Sequence, residues 1–274
     1  DGDANMTLSF SNGGNLVDLT DLHKSLASYL LTLPEGGQIL SIRELSDQFK
    51  ASMGSVSAAL NDLEALGAIT LSRRGRLGSF LERKTFGILW RILENGPMII
   101  ALTLPSFPKS EGLATAIYSL LDRAGIETYM TFIRGSFNRI KTLRNGRCHA
   151  IVISSLAAEE LCDPEEEIIL RLPPQSFVTD HRVFYKKDNR LEDKPMRIGI
   201  DLDSFDIKYL TELEFTAHNV EFIPMPFVQT DRHLEQSPVD AAISNLDHLE
   251  RLKSTEITSR PLSQRVQNLI GDRD

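Results

Sequence analysis

The chain has 274 residues, enough for two ordinary domains, and its 41% hydrophobic and 25% charged composition is that of a soluble globular protein. No apolar run reaches the ~20 residues that span a bilayer, and Asp1 to Thr7 lack the basic patch and apolar core of a signal peptide, so a cytoplasmic location and no membrane partner are expected. A net charge of −8 argues against non-specific coating of nucleic acid, and two cysteines, Cys148 and Cys162, make neither a disulfide framework nor a zinc site.

The charge is unevenly spread. From Gln38 to Lys84 there are seven Lys/Arg and five Asp/Glu, which is +2 for this stretch and leaves −10 for the rest. Residues 1–15, small and polar around Asn12-Gly13-Gly14-Asn15, read as a flexible arm. From Asp18 to Leu33, Leu19, Leu22, Leu26, Tyr29, Leu30 and Leu33 fall on one helical face, and Pro34-Glu35-Gly36-Gly37 ends the helix. Ser41-Ile42-Arg43-Glu44 is a capping box that starts a short helix to about Lys50. Ser52 caps the next helix, which turns Val56, Leu60, Leu63 and Leu66 inward and stops at Gly67. Ala68 to Ser72 and Ser79 to Arg83 read as a hairpin joined by Arg73-Arg74-Gly75-Arg76-Leu77-Gly78. Thr85 to Asn95 is a helix that is apolar nearly all round, as buried helices are; it is a linker or a dimer contact.

Beyond Gly96-Pro97 strands and helices alternate. Strands are expected at Met98 to Leu104, Glu127 to Ile133, His149 to Ile153 and Ser176 to Tyr185, with helices at Glu111 to Ala124, Phe137 to Asn145 and Ala157 to Leu161. A second round has strands at Arg197 to Ile200, Val220 to Met225 and Val239 to Ile243 and a helix at Phe205 to Phe215. The fold class is α/β: a winged helix-turn-helix in front of two α/β lobes with largely parallel sheets. The domains divide at 16–84 for the winged helix, 85–96 for the linker helix and 97–274 for the two lobes, the first 97–180 with 260–274 and the second 185–258.

Two helices joined by a tight turn place the second in a DNA major groove. The candidate DNA contacts are Arg43 and, on that second helix, Ser52, Met53, Ser55, Ser57 and Asn61, with Arg73, Arg74 and Arg76 on the wing. Small hydroxyls suit phosphate at a helix start, and guanidinium groups suit the negative potential of a minor groove. The stretch Leu40-Ser41-Ile42-Arg43-Glu44-Leu45, Ser52 to Leu60, Leu63 to Ile69 and Gly75 to Leu81 resembles the winged helix of GntR-type regulators. With the α/β region behind it, the chain resembles the YhfZ family of regulators. That resemblance implies double-stranded operator DNA as a partner. Met53 and Ser57 depart from the family pattern, which has basic or long polar residues there, so readout is expected to lean on the wing, Asn61 and Arg43.

In open α/β folds ligands lie beyond the carboxyl ends of parallel strands. Five loops qualify. Ser106, Lys109 and Ser110 follow the first strand, Arg134, Ser136 and Phe137 the second, and Ser154 and Ser155 the third. In the second lobe Asp201, Asp203 and Ser204 follow one strand and Ser244 and Asn245 another. The layout resembles the type-2 periplasmic-binding-protein fold. It implies a small-molecule effector, with Thr179 and His181 near the cleft at a first hinge crossing, Ile257 to Leu262 returning to the first lobe, and Gln264 to Ile270 closing that lobe as a helix. Helix N-termini favour an anionic group, which Lys109 and Arg134 would neutralise. Each residue also has a plainer reading: the serines as helix caps, His181 as structural, Asp201 and Asp203 as turn residues with no third metal ligand. HExxH, GxSxG, P-loop and post-strand GxGxxG motifs are absent, so no enzyme and no cofactor are expected. The alternatives are an enzyme or substrate-binding protein with a vestigial winged helix, and a protein-binding scaffold. A homodimer is expected, because winged helices read pseudo-palindromes and the apolar helix Phe86 to Leu93 needs a partner surface.

Overall fold

A computed structural model describes residues 9–12, 15–164, 166–187, 196–227, 230–236, 238–249 and 256–271. By internal contacts the chain forms two units, one of residues 1–98 with 118–128 and one of 99–117 with 129–274.

The first unit begins with a hairpin, β1 (Ser9–Asn12) antiparallel to β2 (Asn15–Asp18), where the sequence reading has an arm; residues 1–8, 13 and 14 lie outside the described residues. Three helices follow: α1 (Asp21–Thr32), α2 (Ile42–Phe49) and α3 (Met53–Ala65). The capping box forms as its spacing demands. Glu44 N donates to Ser41 Oγ at 3.2 Å, and Ser41 N donates to Glu44 Oε2 at 2.8 Å, which holds the Glu44 carboxyl below its usual range. Lys50 ends α2 in the left-handed region, with its N–H on Ser46 O. The wing is β3 (Ile69–Arg73) and β4 (Ser79–Lys84), antiparallel with a bulge between Thr70 and Leu71. Lys84 Nζ donates to Leu31 O at 2.6 Å and Leu33 O at 2.7 Å, filling the open carbonyls at the end of α1.

The helix expected as a linker is α4 (Phe86–Ile92). Leu89 and Ile92 are buried in the same core as Leu26, Leu30, Leu45, Val56, Leu63 and Leu81. The apolar stripe therefore finds its partner surface within its own chain, and the dimer argument no longer rests on it. At its start, Gly87 N donates to Ala124 O at 2.9 Å, so α4 docks on the turn that precedes residue 128.

From residue 98 onward the strands form two sheets, one in each of two lobes. In the first, the sheet order is β6-β5-β7: β5 (Met98–Leu102), β6 (Thr128–Phe132) and β7 (Ala150–Ile151), with β5 and β7 parallel. The crossovers are α5 (Pro108–Arg123) and α6 (Ser136–Arg144), and α7 (Ser155–Leu161) follows β7. In the second lobe the order is β10-β9-β11-β8-β12, for β8 (His181–Lys186), β9 (Met196–Ile200), β10 (Val220–Pro224), β11 (Ala241–Asn245) and β12 (Ile257–Pro261). Strands β10, β9 and β11 run parallel, and β8 is antiparallel to both β11 and β12. Helices α8 (Phe205–Phe215), α9 (Thr230–Gln236), α10 (Leu246–Leu249) and α11 (Gln264–Ile270) complete it.

Two expectations are corrected here. Strand β12 does not return to the first lobe; it extends the second sheet along the free edge of β8, with Ser259 opposite Phe184. Helix α11 does not close the first lobe either. Val266 and Ile270, four apart on one face, enter the core of Val183, Ile198, Leu210 and Phe215. The buried Glu214 carboxylate fixes this return by accepting from Arg260 Nη1 at 2.6 Å and Ser263 N at 2.8 Å. The hinge segment is also shorter as a strand, which starts at His181 rather than Ser176.

Candidate functional site

Helix α3 presents Met53, Gly54, Ser55, Ser57, Ala58 and Asn61 to solvent while Val56, Ala59, Leu60 and Leu63 pack inward. An exposed Met53, 55% accessible, has no packing role to explain it. Ser52 is spent on the cap: Ser55 N donates to its Oγ at 3.0 Å and the two hydroxyls meet at 2.8 Å. The buried His23 anchors the helix from behind. Its Nδ1 accepts from Thr20 N at 3.1 Å, so Nε2 carries the proton and donates to Asp62 Oδ2 at 3.2 Å. Arg43 is exposed on α2.

The three wing arginines are not equivalent. Arg73 is turned back on α3: Nη2 donates to Asn61 Oδ1 at 3.1 Å, and the guanidinium grips the Glu64 carboxylate. Glu64 Oε1 also accepts from Leu71 N at 3.0 Å, joining helix to wing a second time. Arg74 lies 4.5 Å over the Phe80 ring, a cation–π contact that leaves its outer edge to solvent. Arg76 stands exposed on a 3-10 turn, Gly75–Leu77, between Gly75 (φ +56°) and Gly78 (φ +86°). Glycine suits both, because side chains rarely adopt that backbone region.

In the second unit the loops at the carboxyl ends of both sheets do meet, but they meet each other. Arg134, after β6, pairs with Asp203, after β9, and lies 3.9 Å from Asp201. Phe205 N donates to Ser136 Oγ at 3.0 Å, and the Phe137 and Phe205 rings stand edge to face, centroids 5.9 Å apart. Ser154 caps α7 and donates to Asp206 Oδ1 at 2.5 Å. Lys109 Nζ donates to Thr179 Oγ1 at 2.6 Å and lies 3.8 Å from Asp247, whose carboxylate also accepts from Thr179 N at 2.7 Å. The cations expected to neutralise an anion thus already face carboxylates. Asp201 is a turn residue: 2% exposed, it accepts from Asp203 N at 3.0 Å and Phe227 N at 2.9 Å.

Other candidates are held locally. Ser110 exchanges hydrogen bonds with the Phe107 backbone, and Ser155 opens α7. His181 and Asn245 are buried opposite each other on β8 and β11, and Ser106 is half-buried in the loop after β5. Ser204 is buried at the start of α8 without capping it through its side chain. Ser244 Oγ and Arg139 Nε are buried with no hydrogen-bond partner among the described residues. Burial holds the Arg139 guanidinium down at about 10, against the opposing pull of Asp206. Sequence reasoning missed Asp206, Arg139, Asp247 and Glu64. The first three were within reach, because each lies within a few residues of a loop already singled out. Among the described residues no group of three or more His, Cys, Asp or Glu is arranged to hold a metal, and no helix is long and apolar enough to cross a membrane.

Residues 87–270 match the family model of the YhfZ C-terminal domain, and residues 34–81 match a helix-turn-helix domain. YhfZ of Escherichia coli (strain K12) is 32% identical over 240 residues, spanning 87% of this chain and 78% of that protein. The crystal structure of YhfZ from Shigella flexneri superposes with a TM-score of 0.50 at 27% identity, covering 65% of this chain and 76% of that one. The crystal structure of the methionine binding protein MetQ superposes with a TM-score of 0.41 at 12% identity, over 61% of this chain and 79% of that one.

Proposed function

This chain belongs to the YhfZ family, and on that premise we propose that it is a one-component transcription regulator. Its helix-turn-helix domain binds operator DNA, and its two α/β lobes take up a small effector. The observation that carries the reading is the exposed face of α3 beside the exposed Arg74 and Arg76 in a chain whose net charge is −8. Cations clustered on one face give phosphate a place to bind whatever the net charge of the whole chain.

The effector site lies where the loops after β6, β7 and β9 meet. The effector is small and carries an anionic group that competes with Asp203 for Arg134. That pair is partly exposed on both sides and so is weak enough to exchange, worth about 0–1 kcal/mol. The regulator is a cytoplasmic homodimer of the GntR-like type, because a twofold protein reads two half-sites of one duplex.

Selection from a random-sequence duplex pool by the full chain tests this reading. Enrichment of a pseudo-palindrome, with half-sites about one helical turn apart, is the expected result. A pool that stays random after repeated rounds rejects DNA recognition.

A further inference from the structure

We propose that Arg73 is a positioning residue and not a DNA contact: with Glu64 it clamps the wing to the recognition helix, leaving Arg74 and Arg76 to meet the duplex. The inference rests on the DNA-binding reading and divides its residues into two roles. Counterion release needs a cation free to neutralise a phosphate. The Arg73 guanidinium is neutralised by Glu64, and one of its nitrogens also holds Asn61. Glu64 in turn binds the β3 backbone at Leu71, so a single carboxylate ties the strand, the wing arginine and α3 together. A wing is a two-stranded hairpin, which is marginal alone and takes its direction from what it is fastened to. Among the described residues Arg76 has no such tether, and it sits at the far turn, where a minor groove would be reached first.

The clamp also orients Asn61. Its Oδ1 faces Arg73, so its Nδ2 is the end presented outward. An amide held this way donates to base acceptors such as guanine N7 and O6 or thymine O4, and is badly placed for the paired donor and acceptor of adenine.

The test uses the full chain and a labelled duplex enriched from a random pool by the wild type, with affinity measured from low to high salt. Glu64→Gln combined with Arg73→Met keeps the net charge unchanged. It is expected to weaken binding about fivefold, as for one coupled network, with the salt slope unchanged. Arg76→Met is expected to flatten the slope by about 0.9. Should the double variant not fold by circular dichroism, Arg73→Lys keeps the charge without the fork and should weaken binding at an unchanged slope. A slope flattened by the double variant as much as by Arg76→Met, or wild-type affinity in that variant, overturns the inference while the DNA-binding reading stands. Failure of the wild type to enrich any duplex overturns both.

Discussion

Valine at position 135 is expected to force apart the two loops that meet across the second unit. Gly135 has φ +80°, and a Cβ there would lie 2.7 Å from Asp203 Cβ and closer still to the Asp203 carbonyl. The atoms it would meet are the Asp203 carbonyl and Cβ, none of them the movable end of a side chain, so the backbone must shift. Overpacking of this kind costs about 1–3 kcal/mol, and a β-branched residue in this backbone region adds about 1–3 more. The separation also removes the Arg134–Asp203 pair and the Phe205 N to Ser136 Oγ bond. Arg134→Met removes the ion pair alone and should cost at most about 1 kcal/mol, because both side chains are partly exposed. Urea unfolding compares the two, with small-angle scattering for the lobe separation. Equal stability and equal radius of gyration in Gly135→Val and wild type would mean that these loops do not touch.

Alanine at position 87 is expected to destabilise the first unit by about 1–3 kcal/mol or more. A Cβ there would sit 2.8 Å from Gly125 Cα and nearer to the carbonyl carbon and oxygen of Gly125, all backbone atoms. The amide of Gly87 is meanwhile fixed on Ala124 O, so the helix cannot simply slide. Helix α4 would have to leave either the turn at residues 124–125 or the core that holds Leu89 and Ile92. Trp90, the single tryptophan, lies on this helix and reports the transition by fluorescence. Its indole N–H donates to Gly96 O at 2.9 Å, so its emission should shift even in the folded variant. A melt indistinguishable from wild type would contradict the packing of α4 described above.

Much of this fold is legible because its signals are local. Ser41 with Glu44, Ser52 and Ser154 each mark a helix start through a bond spanning three residues, and each forms. The positions of the cleft loops are legible for a topological reason: strand ends point the same way wherever sheets are parallel. What was not legible depends on long-range pairing. Residues 257–270 are equally suited to either lobe by pattern, and the open edge of β8, the carboxylate of Glu214 and the core that takes up Val266 and Ile270 decide it. Helix α9 was missed because Thr230–Gln236 is mostly polar around the buried Leu234. The unequal roles of Arg73, Arg74 and Arg76 could not be read either, since Glu64 lies nine residues before Arg73 on another element.

On the proposed function, one chain couples DNA to a small ligand. Coupling between two sites is reciprocal, so an effector that binds must alter operator affinity by the factor by which the operator alters its own. The direct measurement takes the compounds from a metabolite library that raise the melting temperature of the full chain. It then determines the affinity for the selected duplex with and without each, at one fixed salt concentration. At least one stabilising compound is predicted to change that affinity about 5- to 150-fold, and the selected duplex to change its binding by the same factor. Compounds that bind by calorimetry and leave duplex affinity untouched would contradict the account, and the two halves would then be separate functions on one chain.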